Sequence, residues 1–353
     1  MKTVRLGKTG LEVTRVGIGG IPIQRPPEDA AIKVIQRALD LGVTFIDTAR
    51  GYGDSEKRIG KAIADRREEV IIATKGTWQS KEAALEQIDL SLKHLNTDYI
   101  DLWQFHNPST FERLDLILKP GGALEGAKEA LEKGKIRHIG MSIHTLDVAL
   151  KAVTTSHFET VQVPFNFVTN EPANELVSLA KKHNVGFIAM KPFAGGLLDD
   201  ANLAIKYLLQ FDNVVPIPGI EKTKEIEEIV NIVNGSWELT SQEQTKMEKF
   251  RSELGTQFCR RCGYCMPCPE GVRIEQLVCM PILWELWPSK ETLSDESIGG
   301  FMKASVESAE NCIQCGECEE KCPYHLPIRE MITKSINLYE KMKKQKKVST
   351  TGN

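Results

Sequence analysis

The chain has 353 residues, which is too many for one typical core of roughly 100 to 200 residues, so we expect one large domain and one small one. Hydrophobic residues make up 41% and charged residues 26%, a balance typical of globular proteins in water and unlike that of collagenous, disordered or membrane-embedded chains. With 45 Lys and Arg against 48 Asp and Glu, the formal net charge of -3 gives no reason to expect a nucleic-acid partner.

The N-terminal segment MKTVRLGKTGLEVTRVGIGG contains no unbroken apolar core of signal-peptide length. No later run approaches the roughly 20 apolar residues that a helix needs to cross a bilayer. We therefore expect a cytoplasmic protein without a membrane partner.

Apolar periodicity predicts a hairpin over residues 3–15, and then eight rounds in which a short strand precedes an amphipathic helix. The predicted strands cover 16–20, 44–49, 70–76, 99–106, 136–142, 161–166, 186–192 and 214–219. The predicted helices cover 27–42, 55–67, 81–95, 123–134, 145–153, 172–183, 200–210 and 222–234. Eight such units match the (β/α)8 TIM barrel, which carries its chemistry at the C-terminal ends of the strands. A doubly wound open sheet is the alternative, but the first turn, VGIGGIPIQ, lacks the full G-x-G-x-x-G pattern of such dinucleotide folds.

Beyond the eighth helix, TSQEQTKMEKFRSELG predicts a further helix with Thr240 as its N-cap and Glu243 completing a capping box. This helix is expected to join two domains, residues 1–252 and 253–353. The second domain is predicted to be small and mainly helical, and to close with a helix over 327–344.

Four polar side chains stand at or just after the predicted ends of neighbouring strands. Asp47 closes the second strand, Tyr52 lies in the loop after it, Lys75 closes the third strand and His106 closes the fourth. Each has an ordinary alternative role: a helix cap, a packed rim residue, a solvated strand end and a satisfied core histidine, respectively. Together they bring an acid, a phenol, a cation and an imidazole to the place where barrel enzymes assemble active sites.

The segments DTARGYGDSE at 47–56, ATKG at 73–76 and LWQFH at 102–106 resemble the signature segments of the aldo-keto reductase family. The resemblance spans about residues 1–250 and implies a barrel enzyme that reduces carbonyls with NAD(P)H. Carried over position by position, it implies that Tyr52 is the general acid. Lys75 and Asp47 would tune the acidity of Tyr52, and His106 would orient the carbonyl.

Elementary chemistry gives a reason for these residue types. Hydride arriving at a carbonyl carbon leaves charge on the oxygen, which must receive a proton as that charge develops. A phenol with its ordinary pKa of about 10 is a poor donor near neutrality, but a nearby ammonium group such as Lys75 favours the phenolate and lowers that pKa. A buried lysine without a counter-charge would lose its own proton, so Asp47 is needed to keep Lys75 cationic.

Four further segments resemble the cofactor-binding strand ends of the same family: GMSIH at 140–144, VQVPFN at 161–166, MKPFAGG at 190–196 and VPIPG at 215–219. The resemblance implies that Ser142 and Gln162 hydrogen-bond the nicotinamide carboxamide. The other candidate cofactor contacts are Gly19, Gly20, Met190, Pro192, Gly195, Gly196, Gly219, Lys222 and Glu228. The backbone of Gly195, Gly196 and Gly219 could approach phosphates closely, and plain turns are the alternative for each of these three.

This sequence departs from the family pattern at three of these positions. Ile143 stands where many members have Asn, and Met190 stands where many have a Tyr stacked on the nicotinamide. Ile229 occupies the second position of the Glu-Asn pair that many members have before the last helix. A thioether can still pack on a ring, so we interpret Met190 as a substitution within the site. Glu221 would repel a 2'-phosphate while Lys222 and Lys224 would attract one, which leaves NAD and NADP both open.

All nine cysteines follow residue 258. Eight of them form two runs: Cys259, Cys262, Cys265 and Cys268, then Cys312, Cys315, Cys318 and Cys322. Cys279 stands alone between the runs and is expected to be a small buried hydrophobe. In the reducing compartment expected for this chain, structural disulfides are disfavoured.

The second run, followed by Pro323, resembles the bacterial ferredoxin run that binds 4Fe-4S clusters. The first run has two residues, and not three, before its last cysteine. The resemblance implies two 4Fe-4S clusters, in which Cys322 joins the first three cysteines of the first run and Cys268 joins the first three of the second. Two zinc ions, each bound by four thiolates, are the alternative.

Three functions are compatible with these features. In the first, an NAD(P)-dependent oxidoreductase acts on an aldehyde, ketone, sugar or alcohol, and the clusters stabilise the small domain. In the second, the clusters relay electrons to or from a redox partner protein, and in the third the chain is a redox sensor. Hydride transfer moves two electrons and each cluster moves one, so joining them normally needs a flavin or quinone, for which no motif is seen.

Overall fold

The computed structural model describes residues 1–255, 258–286 and 298–350. The chain forms two compact units, Met1–Glu248 and Lys249–Asn353. Both this division and the predicted domain limit at residue 252 lie within the helix that begins at Ser241. None of the described helices is long and apolar enough to cross a membrane.

The first unit begins with an antiparallel hairpin of strands β1 (Thr3–Arg5) and β2 (Glu12–Thr14). Eight parallel strands follow and pair in chain order, so that neighbours in sequence are neighbours in the sheet. They are β3 (Ile18–Gly19), β4 (Phe45–Asp47), β5 (Ile71–Gly76), β6 (Ile100–His106), β7 (Ile136–Ser142), β8 (Thr160–Pro164), β9 (Gly186–Met190) and β10 (Val214–Ile217). Each corresponds to one of the eight predicted strands.

The sheet closes on itself between β3 and β10. The backbone N–H of Gly17 donates to Pro216 (2.9 Å) and that of Gly19 to Pro218 (2.7 Å). Gly19 also pairs with Gly219 in a parallel bridge. The result is a nearly closed eight-stranded barrel, which confirms the predicted TIM barrel.

Helices alternate with the strands around the barrel because their apolar residues recur every three or four positions. They are α1 (Glu28–Asp40), α2 (Ser55–Ala62), α3 (Lys81–Leu95), α4 (Phe111–Leu118), α5 (Ala123–Glu132), α6 (Leu146–Thr154), α7 (Leu176–Lys182), α8 (Ala201–Leu209) and α9 (Thr223–Asn234). Helix α4 was not predicted and lies in the connection after β6. Its N-cap is Thr110, whose hydroxyl accepts from the backbone N–H of Arg113 at 3.3 Å, and it buries Leu114 and Ile117.

The N-terminal hairpin covers the N-terminal end of the barrel. Leu6 and Val13 join a buried cluster with Phe45 of β4 and residues of four other barrel strands, β5, β6, β9 and β10. Gly7 bridges to Val185, immediately before β9. The opposite end, where the strands finish, carries the connecting loops.

In the described part of the second unit, helices alternate with non-helical segments that carry most of the cysteines. Helix α10 (Ser241–Leu254) runs across the division and starts with the predicted capping box, in which Thr240 and Glu243 hydrogen-bond each other's backbone N–H at 2.8 and 3.2 Å. Its other helices are α11 (Ile274–Leu286), α12 (Ile298–Ala309), α13 (Glu317–Glu320) and α14 (Ile328–Thr350). Apolar residues such as Leu277, Met302 and Ile332 form a core against which the cysteine runs pack. The last helix continues six residues beyond its predicted end at 344.

Candidate active site

Lys75 and Asp47 form a completely enclosed ion pair at the ends of β5 and β4. The Lys75 Nζ lies 2.6 Å from Asp47 Oδ1 and 2.7 Å from the Thr48 carbonyl oxygen. The exposed fraction is 0% for Lys75 and 2% for Asp47. Asp47 and Lys75 lie on the adjacent strands β4 and β5, and both side chains point toward the barrel axis.

Tyr52 lies against this pair in the loop between β4 and α2. Lys75 Nζ stands 5.1 Å from the centre of the Tyr52 ring, so the ammonium group and the phenol interact electrostatically. The ring of His106, at the end of β6, meets the Tyr52 ring edge to face, with 5.7 Å between centres and 86° between planes. The structure therefore brings the four residues singled out in the sequence into one cluster.

The charges in this cluster stabilise one another. Burial alone would lower the pKa of Lys75, but Asp47 and Tyr52 outweigh it and hold the pKa above its ordinary value. Burial also raises the pKa of the Asp47 carboxyl, although Lys75 and two glutamine amides oppose that rise. A lysine with a raised pKa remains an ammonium ion at neutral pH.

Two glutamines extend the cluster inward. Gln104 Nε2 donates to Gln162 Oε1 at 2.7 Å, and both amides lie 3.3 Å from Asp47 carboxylate oxygens. Gln104 was not among the predicted residues. It shares the inward face of β6 with Leu102 and His106, so strand alternation in LWQFH was the signal that would have found it.

The predicted nicotinamide contacts lie beside His106. Ser142 ends β7 in register with His106 on one side and with Gln162 of β8 on the other. Ser142 and Gln162 are 2% and 1% exposed. Gln162 already bonds Gln104 and Asp47, but an amide has two protons and two lone pairs, so capacity for a carboxamide remains. Met190, 8% exposed, ends the next strand, β9.

The candidate glycines fall into two groups. Gly19 and Gly20 are buried where backbones approach closely: an added Cβ would lie 2.8 Å from a carbonyl oxygen at either position. Gly195 and Gly196 are exposed in the loop after β9 and have φ angles of +76° and +101°, which favour glycine. Gly219 is also exposed, next to Pro22 of the loop after β3.

The remaining candidates lie farther along the loops. Pro192 is buried in the loop after β9, and Lys222 is exposed at the N-cap of α9. Glu228 is exposed on α9 and lines an open groove together with Asn202, Lys206, Lys224 and Asn231. Glu221 forms an ion pair with Arg25 of the loop after β3.

In the second unit, the eight clustered cysteines surround two cavities. One is lined by Cys268 of the first run and by Cys312, Cys315 and Cys318 of the second. The other is lined by Cys259, Cys262, Cys265 and Cys322. Cys265 also lines the first cavity. The fourth cysteine of each run thus lies with the first three of the other run.

Among the described residues, the thiols around these cavities form no disulfides. Burial raises the pKa of Cys262 to about 11 and that of Cys265 to about 12, so both are protonated at neutral pH without a metal. Among the described residues, no group of three or more His, Cys, Asp or Glu is arranged to hold a single metal ion. Cys279 is buried, as predicted, and its thiol hydrogen-bonds Cys259.

Comparison with curated proteins finds enzymes related to the first unit. Aldo-keto reductase YhdN of Bacillus subtilis (strain 168) is 34% identical over 219 residues, which cover 56% of this chain and 64% of the relative. L-galactose dehydrogenase of Arabidopsis thaliana is 32% identical over 214 residues, covering 55% of this chain and 66% of the relative. The chain thus spans slightly less than two thirds of the length of these two relatives.

Solved structures and family models agree with this relationship. The holo form of aldo-keto reductase AKR11C1 from Bacillus halodurans has a TM-score of 0.63 at 26% identity, covering 70% of this chain and 96% of that one. Residues 15–203, more than half of the chain, match the model of the Aldo/keto reductase family, and residues 258–326 match that of a 4Fe-4S dicluster domain. The chain therefore belongs to the aldo-keto reductase family and carries a 4Fe-4S dicluster domain after its barrel.

Proposed function

We propose that this protein is an NAD(P)H-dependent carbonyl reductase, or alcohol dehydrogenase in the reverse direction, with Tyr52 as its general acid and base. The observation that carries the proposal is the contact of Tyr52 with both the buried Lys75 ammonium group and the His106 ring. The family supports an oxidoreductase acting on small carbonyl compounds.

The proton transfer follows from the surroundings of Tyr52. As charge develops on a carbonyl oxygen, the phenol donates its proton to that oxygen, and the resulting phenolate is stabilised by Lys75. Asp47 keeps Lys75 charged throughout, because its carboxylate lies 2.6 Å from the ammonium nitrogen. In the reverse direction, the phenolate takes the proton of the alcohol.

His106 is the proposed orienting residue. Its ring, at the end of β6, stands at right angles to that of Tyr52, so a ring N–H and the phenol can reach one oxygen from two sides. Two donors on the developing oxyanion fix the direction in which the carbonyl carbon faces.

The residues next to His106 suit a nicotinamide. Ser142 and Gln162 offer a hydroxyl and an amide in register, and Met190 offers a polarisable apolar surface beside them. The cofactor, when bound, supplies the hydride or accepts it. The loop carrying Gly195 and Gly196 is exposed and suits close approach of phosphates. Candidate substrates are aldehydes, ketones and sugars, and the name of the Arabidopsis relative supports sugars.

For the second unit we propose two 4Fe-4S clusters, one in each four-cysteine cavity. The proposed ligands are Cys259, Cys262, Cys265 and Cys322 for one cluster, and Cys268, Cys312, Cys315 and Cys318 for the other. Soft thiolates are the ligands that such clusters prefer. Each of the four cysteines that bind a 4Fe-4S cluster binds a different iron, which suits thiols spread around a cavity. The clusters, when bound, supply one-electron redox chemistry. A reducing compartment such as the cytoplasm would preserve them.

An electron-transfer protein with a redox partner is the second candidate function. The observation that favours it is the exposure of Cys315, because a cluster near the surface can exchange electrons with another protein.

Replacing Tyr52 by Phe tests the reductase. We expect kcat for carbonyl reduction to fall by about 100-fold or more, since the proton donor is lost, while NAD(P)H binding is retained. The matched control is Tyr99→Phe, because Tyr99 precedes β6 at the other end of the barrel and bonds Glu68 through its hydroxyl. Steady-state kinetics with a panel of aldehydes, ketones and sugars and cofactor fluorescence titration measure both. Unchanged turnover in Tyr52→Phe would remove Tyr52 from the role.

A further inference from the structure

Glu56 is a buried carboxylate that the proposed chemistry does not use. It lies in the first turn of α2 and is 1% exposed. Its Oε1 accepts from the hydroxyls of Thr74 and Ser91, each at 2.7 Å, and its Oε2 forms an ion pair with Arg50. Burying a charged carboxylate is unfavourable unless donors surround it, so this network must be complete in the folded protein.

The partners of Glu56 connect it to the active site. Thr74 directly precedes Lys75 in β5 and, because side chains alternate along a strand, faces outward where Lys75 faces inward. Arg50 stands two residues before Tyr52, and its backbone N–H donates to the Lys75 carbonyl oxygen at 2.9 Å. The carboxylate thus joins the strand that carries the ammonium group to the loop that carries the phenol.

Thr48 and Arg50 anchor the loop of residues 48–54 to β5. The Thr48 N–H donates to the Ala73 carbonyl oxygen at 2.8 Å, and the Thr48 carbonyl oxygen accepts from Lys75 Nζ at 2.7 Å. Nearer Tyr52 the backbone hydrogen bonds are turns, from Tyr52 N–H to Ala49 and from Ser55 N–H to Tyr52, and the Arg50–Glu56 ion pair is the side-chain anchor next to the phenol. Arg50 also lies 2.8 Å from His94 Nδ1 of α3, so the guanidinium is clamped between an anion and an imidazole.

We propose that Glu56 is a positioning residue: through Arg50, it sets where the 48–54 loop holds the Tyr52 hydroxyl relative to Lys75. Glu56 bonds Thr74, Ser91 and Arg50, so its effect on the phenol and the ammonium group is indirect. Its influence on the reaction rests on the proposed function of Tyr52 and is geometric. A misplacement of about 1 Å in a reacting group costs on the order of 100-fold in rate.

Glu56→Gln tests this role. The amide keeps the shape, and its oxygen still accepts from Thr74 and Ser91, but the charge facing Arg50 is gone. We expect kcat for carbonyl reduction to fall roughly 10- to 100-fold with the KM for NAD(P)H nearly unchanged, since the phenol is displaced and the cofactor contacts are not. We also expect the basic limb of the kcat/KM pH profile to move upward, because a phenol farther from Lys75 ionises less readily.

Asp101→Asn is the matched control. Asp101 is likewise buried, 3% exposed, and bonds two arginines, Arg67 at 2.8 Å and Arg137 at 3.3 Å. It stands at the start of β6, whereas His106 stands at its end. We expect both variants to lower the unfolding temperature and only Glu56→Gln to change kcat and the pH profile. Equal effects of both variants on kcat, or a loss of stability alone in Glu56→Gln, would overturn the proposal.

A readout without turnover separates this role from the proposed function. In ultraviolet difference titration, the ionisation step that disappears in Tyr52→Phe belongs to Tyr52, one of six tyrosines. That step should move to higher pH in Glu56→Gln and stay in place in Asp101→Asn. If the wild type reduces no carbonyl, the proposed function fails. If the Tyr52 ionisation step stays at the same pH in Glu56→Gln, the positioning role is refuted, whatever the result for turnover. If Glu56→Gln does not fold, Arg50→Gln removes the same ion pair at its more exposed partner. The Tyr52 ionisation step should then move to higher pH in Arg50→Gln, and an unchanged step would refute the positioning role.

Discussion

At the residue scale, the Lys75–Asp47 pair is the feature most sensitive to substitution. A lysine that is 0% exposed retains its charge largely because a carboxylate lies 2.6 Å away. The same pair keeps the proposed proton donor, Tyr52, next to a permanent cation. Stability and catalysis therefore both depend on the contact between Lys75 and Asp47. Removing both charges should restore most of the stability but not the activity.

Lys75→Met should abolish carbonyl reduction and lower the free energy of unfolding by about 3–5 kcal/mol, because Asp47 is left buried without its counter-ion. The loss should be smaller near pH 4 than near pH 8. Without Lys75, the folded Asp47 carboxyl has a raised pKa and keeps its proton where the unfolded carboxyl has lost it, so stability falls as pH rises. Urea unfolding across this pH range measures the effect.

The double variant Lys75→Met with Asp47→Asn is the control for that prediction. It removes both charges, so we expect it to recover most of the stability, to lose the pH dependence and to remain inactive. If Lys75→Met alone were as stable as the wild type at pH 8, the Lys75–Asp47 pair would not be charged in the folded protein.

At the element scale, the barrel depends on the closure between β3 and β10. Both strands are short, Ile18–Gly19 and Val214–Ile217, and the bridge between them joins two glycines. By contrast, β6 and β7 pair over a longer register, from Ile100 with Ile136 to His106 with Ser142. The closure is therefore a place where one methyl group can disturb the sheet.

Gly19→Ala should lower the free energy of unfolding by about 1–3 kcal/mol, because its Cβ would lie 2.8 Å from the Ile217 carbonyl oxygen and push the strands apart. Gly51→Ala is the control, since a Cβ at Gly51 meets nothing within 4 Å. Denaturant unfolding of both variants checks this expectation. Equal stability of the two would mean that the closure adapts without strain.

At the scale of the whole molecule, two chemistries with different electron counts share one chain. The barrel residues suit hydride transfer, and the cysteine cavities of the second unit suit one-electron carriers. No flavin motif links them in the sequence. The simplest arrangement is an enzyme whose clusters stabilise their own unit.

An anaerobic titration decides between that arrangement and an electron relay. We expect a preparation with about eight iron and eight sulfide per chain, as two 4Fe-4S clusters require, whose cluster absorbance is not bleached by NAD(P)H alone. Removing iron with a chelator should reduce helical circular dichroism, since metal binding and folding are coupled, while carbonyl reduction persists. Stoichiometric bleaching by NAD(P)H would instead establish the relay, and zinc in place of iron would exclude both clusters.

The sequence by itself determined the elements and much of the candidate site. Periodicity predicted the eight strands because alternation and helical spacing are local properties, and motif order singled out Asp47, Tyr52, Lys75 and His106. It did not predict α4. The connection between β6 and β7 contains two helices, α4 and α5, and only the second of them was predicted. These successes and this failure both come from patterns within about 15 residues of one another.

Only the tertiary structure decided which distant groups meet. Gln162 reaches Asp47 across 115 residues of sequence, and Gln104 lies between them, contacts that no local pattern encodes. The sorting of the cysteines into two cavities was implied by resemblance, yet their assembly depends on the helical core of the second unit. The physical reason is that barrel closure and core packing bring strand ends and loops together, and convergence of side chains from separate elements is a property of the folded chain.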